Sequence, residues 1–258
     1  MRKPFYRYGR YLWRNRLGYC TICRMPTVFL HTQSYSTLRD DLECIFCRGI
    51  SRNRHLVRVV ERLYADRGVR HIKDIDKIED FSVYISAFSG AVASTIRDLE
   101  CVVTSEYYDG CQSGEWRDGI QCQNIEEMSF EDQSFDLIIT EDVLEHVQDY
   151  KRALSDIYRV LKRGGFFVFT VPFFFDRKTE PLWGFEQGTW KPIVLPVEYH
   201  GDSIRGHIPA FNRFGRDFFD VLEDIGFQTE VAFSTFRDTR YARIYDCYTF
   251  IASKDRIG

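Results

Sequence analysis

The sequence predicts an α/β fold built on a parallel β-sheet, and three consecutive stretches predict it. Phe135 to Thr140 is an apolar run too short for a helix, as expected of a parallel strand covered on both faces. From Asp149 to Leu161, the apolar residues Ala153, Leu154, Ile157, Val160 and Leu161 recur at helical spacing along one face. Phe166 to Val171 is a second buried-strand run, and Gly164 and Gly165 before it read as the left-handed stop of the helix. Strand, helix and strand in that order form a βαβ unit with a right-handed crossover.

Length and composition bound the rest. A chain of 258 residues can bury one large α/β core and still carry a small appended module. Its 44% apolar and 28% charged residues are ordinary for a soluble globular protein. No apolar run approaches the roughly 18 residues of a membrane span, and no apolar core follows the basic start MRKPFYRYGRYLWRNR as in a secretory signal. A cytoplasmic location is therefore expected. Charge is uneven: residues 1–70 hold 15 Lys and Arg against 5 Asp and Glu, whereas the remainder holds 20 against 33. A positive front on an acidic body suits an anionic partner, such as a phosphate-bearing substrate, RNA or a membrane surface, or docking onto the acidic body itself.

In residues 1–19, arginines and Lys3 alternate with Phe5, Tyr6, Tyr8, Tyr11 and Trp13, which can grip RNA or pack as an arm on the protein's own surface. Cys20, Cys23, Cys44 and Cys47 then form two CxxC pairs. Four thiolates in two tight knuckles suit tetrahedral Zn2+ with no open position, hence a structural site. Residues 51–64 read as a helix capped by Ser51, with Leu56, Val59, Val60, Leu63 and Tyr64 inward. Arg52 and Arg54 in its first turn oppose the helix dipole, which is the reason to expect a bound phosphate or carboxylate there. The domain boundary is placed at residue 70.

Further on, Phe81 to Ala87 and Cys101 to Ser105 read as strands. The stretch 173–214 is rich in aromatics, glycine and proline and too long for a plain connection, so it reads as a lid over an acceptor. Within it, Tyr199-His200-Gly201-Asp202 joins a histidine to a carboxylate, making His200 the first choice of general base with Asp202 orienting it. His207 is a weaker candidate. Residues 216–225 read as a helix ended by Gly226, with further strands near 229–234 and 246–252.

Three ordered motifs carry a resemblance. Phe135-Asp136-Leu137-Ile138-Ile139, Asp142-Val143-Leu144-Glu145-His146-Val147 and Arg159-Val160-Leu161-Lys162-Arg163-Gly164-Gly165 closely resemble the class I S-adenosylmethionine (SAM) dependent methyltransferases of the type 11 branch. The resemblance implies a Rossmann-like seven-stranded methyltransferase sheet over residues 71–258, preceded by a small zinc-ribbon-like module in residues 1–70. It places SAM against Ser86, Ala87 and Gly90, which stand where the family has a glycine-rich loop, and against Thr140 after the fourth strand. It gives Glu106 to the ribose hydroxyls, Tyr107 to the sugar or adenine, and Asn124 and Ile125 to the adenine. His146 is then a second candidate for catalysis; in some quinone O-methyltransferases this motif is linked to a divalent metal, and in others its histidine fixes the loop. The implied function is methyl transfer from SAM to a hydroxyl or amine of a small-molecule or sugar-type acceptor. The alternatives are an RNA methyltransferase reading RNA through its basic zinc module, or a non-catalytic binding module of the same fold.

Overall fold

A computed structural model of the chain describes residues 17–31, 37–202 and 205–254, the side chain of Asp202 excepted. Nearly all of the basic arm read from the sequence, residues 1–16, lies outside the described residues. Those described fall into two compact units. The first gathers the chain up to Ile78 with Gly90–Ile96 and Ala232–Thr249, so the boundary read at residue 70 falls inside it.

In this first unit, β1 (Leu17–Tyr19), β2 (Pro26–Leu30) and β3 (Glu43–Cys44) form an antiparallel sheet. Helix α1 (Ser51–Leu63) buries Leu56, Val57, Val59 and Val60, and a short helix α2 covers Ala93–Ile96. The cap of α1 is Ile50 rather than Ser51: the Asn53 side chain accepts the Ile50 N–H at 2.9 Å. Ser51 instead accepts the Tyr245 N–H at 2.9 Å.

The anion site expected at Arg52 and Arg54 is not supported. Arg54 stands three residues before buried Val57 and so shares its inward face. It is wholly buried, donating to the carbonyls of Leu42, Gly49, Ala242 and Arg243 at 2.6–3.1 Å with its guanidinium 4.1 Å over the Phe29 ring. Arg52 donates to Asp40 at 3.2 Å. Both are thus engaged by the protein, and the fixed charge of Arg54 serves packing rather than a ligand.

The second unit comprises Glu79–Ser89, Arg97–Val231 and the chain from Phe250. Its sheet draws on β4 (Val83–Ile85), β5 (Val102–Glu106), β6 (Trp116–Arg117), β7 (Ile120–Cys122), β8 (Phe135–Glu141) and β9 (Leu161–Thr170). The late strands β17 (Phe227–Phe233) and β18 (Tyr248–Lys254) complete the order β17-β18-β9-β8-β4-β5-β7-β6. The pairs β4–β5, β4–β8, β5–β7 and β8–β9 are parallel, whereas β18 runs antiparallel to β9. The sheet has eight strands rather than seven because the two-residue β6 adds an edge.

Helix α3 (Tyr150–Val160) is capped by Asp149, whose carboxylate accepts the Arg152 N–H at 3.1 Å. It does not end on the glycine pair. Its C-cap Leu161 is already extended, and strand register jumps from Phe135↔Leu161 to Leu137↔Phe166. Gly164 and Gly165 therefore form a bulge in β9, Gly164 at φ 73°, and a Cβ on Gly165 would lie 3.0 Å from the Asp136 carbonyl. The charged motif residues brace this bend: Lys162 meets Asp136 at 2.7 Å, and Arg159 meets Asp156 at 2.7 Å and Asp132 at 2.9 Å.

After β9 the chain forms a small sheet from β10 (Phe173–Phe174), β11 (Glu180–Pro181) and β16 (Asn212–Gly215). Two hairpins lie within this span, β12 (Trp183–Glu186) with β13 (Thr189–Pro192), and β14 (Tyr199–Asp202) with β15 (Gly206–Pro209). Helix α4 (Phe218–Ile225) follows and ends at Gly226, φ 113°. No helix among the described residues is long and apolar enough to cross a membrane.

His55, buried in the first unit, is held at a pKa of about 4 by desolvation, and its Nδ1 pairs with Thr249 Oγ1 at 2.8 Å. A depressed folded value means the unfolded chain binds the extra proton, so this contribution is present above about pH 6.5 and lost as pH falls through about 4. The loss is at most about 3 kcal/mol. Denaturant melts of the wild type and His55→Gln should diverge over that window, with the variant's curve flatter; equal slopes would contradict the assignment.

Candidate active site

The parallel strands end together along one edge of the second unit's sheet. Strand order reverses at β4, whose neighbours are β5 on one side and β8 on the other. The crevice outside the carboxyl ends at such a reversal is where open α/β sheets bind ligands. Ser86 follows β4 and Thr140 lies near the end of β8. Their strands run in register through Ile85↔Ile139, and the Ser86 N–H reaches the Ile139 carbonyl at 3.2 Å. Both hydroxyls are buried without a hydrogen-bond partner. Two orphaned hydroxyls at a ligand-binding edge are what a bound polar ligand would satisfy.

Glu106 closes β5, and its register partner on β7 is Cys122. The Gln123 N–H bonds the Glu106 carbonyl at 3.0 Å, so Asn124 comes off the sheet one residue past that contact. The Glu106 carboxylate accepts the Phe88 N–H at 3.0 Å, drawing the Ser86–Ser89 turn toward β5, and Arg97 covers Phe88 with its guanidinium 4.6 Å above the ring. Asn124 uses its side-chain carbonyl locally, accepting the Glu126 N–H at 3.0 Å. Ile125 is buried, Tyr107 half-exposed beneath the Arg205 guanidinium at 5.3 Å, and Gly90 takes φ 95°. Ala87 lies in the same turn, half-buried.

A second group forms just beyond β8. Asp142, at φ 51°, accepts from Thr170 Oγ1 at 2.8 Å, and this left-handed residue turns the chain into a short helical turn, Leu144–His146. Glu145 is buried there, and its carbonyl accepts the Phe211 N–H at 2.6 Å. His146 Nδ1 donates to the Pro209 carbonyl at 2.8 Å, which leaves Nε2 unprotonated because a carbonyl can only accept. His200 Nδ1 lies 3.1 Å from that nitrogen, the two rings crossing edge to face. Desolvation holds His146 down at about 4 despite the Pro209 bond.

The carboxylate that orients His200 is Glu198, 3.1 Å from Nε2. Asp202, expected in that part, has its side chain outside the described residues; its backbone pairs with Gly206. Glu198 is fixed by Arg213 at 2.7 Å, and Arg213 also grips Glu180 at 2.9 Å. Partial burial would raise the Glu198 carboxyl, yet the bonds from His200 and Arg213 prevail and hold it below the ordinary range. Sequence reading missed Glu198 and Arg213. The signal for Glu198 was its two-residue spacing from His200, which puts both on one face of an extended segment. His207 is exposed and outside this group.

In the first unit the four cysteines are gathered as free thiols, with Cys20 Sγ 3.6 Å from Cys47 Sγ and Cys23 Sγ 3.8 Å from Cys44 Sγ. Tetrahedral bonds of about 2.3 Å to Zn2+ place sulfurs about 3.8 Å apart, whereas a disulfide needs about 2.05 Å. The two knuckles fold identically: Arg24 N–H bonds Cys20 O and Cys20 N–H bonds Met25 O, just as Arg48 bonds Cys44 and Cys44 bonds Gly49. Arg24 and Arg48 are both left-handed, φ 59° and 62°. This cluster suits zinc.

Residues 102–169 match the family model described as "Methyltransferase domain". They span β5 to β9 and include Glu106, Tyr107, Asn124, Ile125 and Thr140, whereas Ser86 precedes them. By this match the stretch is a methyltransferase domain. Over 105 residues the chain is 32% identical to sarcosine/dimethylglycine N-methyltransferase of Aphanothece halophytica, covering 41% of this chain and 32% of that one. The chain thus spans about a third of the length of the curated relative it matches. Among solved structures, the chain is similar to SAM-bound CalS10 of Micromonospora echinaspora, an amino pentose methyltransferase, at 14% identity and a TM-score of 0.48, covering 81% of this chain and 93% of that one. A SAM-dependent methyltransferase structure from Listeria monocytogenes, described there as putative, gives 14% identity and a TM-score of 0.41 over 68% and 92%.

For the methyltransferase domain, Glu106→Ala should weaken SAM binding by about 1 to 3 kcal/mol if the acid pairs with the ribose hydroxyls; calorimetry giving unchanged affinity would remove Glu106 from the site. For the cysteine cluster, Cys44→Ser should lose one zinc per chain by elemental analysis, and a wild type without zinc would end that assignment.

Proposed function

We propose that the chain transfers the methyl group of SAM to a hydroxyl or amine of a small-molecule or sugar-type acceptor. The observation that carries this reading is the pair of orphaned buried hydroxyls, Ser86 and Thr140, on adjacent parallel strand ends within a methyltransferase fold. Ser86, Ala87 and Thr140 would hold the methionine part of SAM, Glu106 the ribose, and Tyr107, Asn124 and Ile125 the adenine. SAM supplies an electrophilic methyl on a positive sulfur; the chain's own residues align the acceptor and deal with its proton.

In the reaction the sulfur–methyl bond breaks, a bond to acceptor oxygen or nitrogen forms, and the acceptor gives up a proton. Glu145, His146 and His200 are suited to that last part. With His146 Nδ1 donating to Pro209, His200 Nδ1 is the donor to His146 Nε2, His200 Nε2 faces Glu198, and both rings lie beside the Glu145 carboxylate. Such a group favours positive charge at its centre and so favours the acceptor's loss of a proton. The hairpins of residues 173–214 supply aromatic walls suited to a covered acceptor, among them Trp183 and Trp190, whose rings lie 5.0 and 5.9 Å from that of Phe211. The small-molecule or sugar acceptor is also in keeping with the printed names of the similar proteins.

The test is calorimetry with SAM and its demethylated product, followed by turnover of a sugar and small-molecule panel with radiolabelled methyl. SAM should bind, and His200→Ala should lower turnover about 10²-fold or more while leaving SAM affinity unchanged. No binding at millimolar SAM would overturn the reading.

A further inference from the structure

With Arg52 and Arg54 both engaged by the protein, the positive front read from the sequence is left without an anion. A cavity of about 220 Å3 in the first unit offers it a place. Its walls include Tyr19 at the end of β1, Arg24 in the first cysteine knuckle, Arg58 on α1, and Arg237, Asp238 and Tyr241 of a late helical turn. All of these belong to the first unit. The volume falls below the roughly 300–1,000 Å3 of pockets for drug-sized ligands, so the occupant is small.

The guanidinium groups around this cavity have donors to spare. One nitrogen of Arg24 serves both Glu61, at 2.8 Å, and the Arg70 carbonyl, while its Nε is buried with no hydrogen-bond partner. Arg58 stands 3.6 Å from Asp238 and 3.9 Å from Glu61, too far to hydrogen-bond to either. Arg237 is exposed, and its side chain has no hydrogen bond or ion pair among the described residues. Asp238 is committed to its own turn, accepting the Thr235 N–H at 2.9 Å and the Thr235 hydroxyl at 2.7 Å. Three arginines thus meet two carboxylates, Asp238 and Glu61, and even with both acids ionised a positive charge is left over.

A buried guanidinium N–H without an acceptor is costly, and a bound anion removes that cost. Three separate donor groups match the three terminal oxygens of a phosphate monoester better than the two of a carboxylate, since guanidinium forks pair with phosphate oxygens. Tyr19 and Tyr241, 39% and 60% exposed, add aromatic walls for the group that carries the phosphate.

We infer that this cavity binds a small phosphate monoester, with Arg24, Arg58 and Arg237 gripping the phosphate and Tyr19 and Tyr241 flanking the group esterified to it. The site is built from the first unit alone and does not depend on the methyl-transfer reading.

The experiment is calorimetry of the full-length protein with phenyl phosphate, a small aromatic phosphate monoester. The wild type should bind it, and benzoate, its carboxylate counterpart, should bind about 10-fold more weakly or worse. Arg237→Ala, which removes no contact among the described residues, and Arg58→Gln should each weaken phenyl phosphate binding about 10-fold or more. Arg52→Gln, a change to the same basic front outside the cavity, should leave it unaltered. Thermal melts like that of the wild type show that the variants are folded. No binding by the wild type at millimolar phenyl phosphate, equal binding of benzoate, undiminished binding by Arg237→Ala, or an equal loss in Arg52→Gln would each overturn the site.

Discussion

The structure turns on the pairing of β4 with both β5 and β8. Because β4 sits between them, three carboxyl-terminal strand ends open onto one edge, and the residues just past them share a crevice without any loop having to reach for it. Backbone hydrogen bonds fix the register, and register fixes which side chains meet. Ser86 and Thr140 are neighbours because Ile85 pairs with Ile139; Asn124 is near Glu106 because Cys122 pairs with it. A one-residue slip in either ladder would turn these side chains to the opposite face.

Charged residues serve three purposes that sequence alone does not separate. Lys162, Asp136 and Arg159 brace the bend of β9 and the loop before β8. Arg54, equally charged, is sunk in the first unit and saturated by four carbonyls, which explains a cation in the first turn of a helix without any ligand. Arg213 and Glu198 belong to a third arrangement, in which a chain of ion pairs ends on an imidazole and orients it.

Much of this was legible in the amino-acid order. Short apolar runs and a 3.6-residue period located the βαβ unit, and the paired CxxC spacing pointed to the four cysteines that the fold brings together. The glycine pair misled for a definite reason. Gly164 permits left-handed backbone equally in a helix cap and in a strand bulge, and local sequence does not say which of the two surrounds it.

The sequence by itself determined the elements of the βαβ unit, the strand from Cys101 to Ser105 and the candidate groups at His146 and His200, because each depends on neighbours a few residues away. Tertiary structure alone decided that those two histidines, 54 positions apart, touch at 3.1 Å, and that Glu198, itself held by Arg213, meets one of them. It decided this by folding the β14–β15 hairpin so that the Pro209 carbonyl meets His146. Contacts between distant positions depend on the path of the whole chain, and no local period encodes that path.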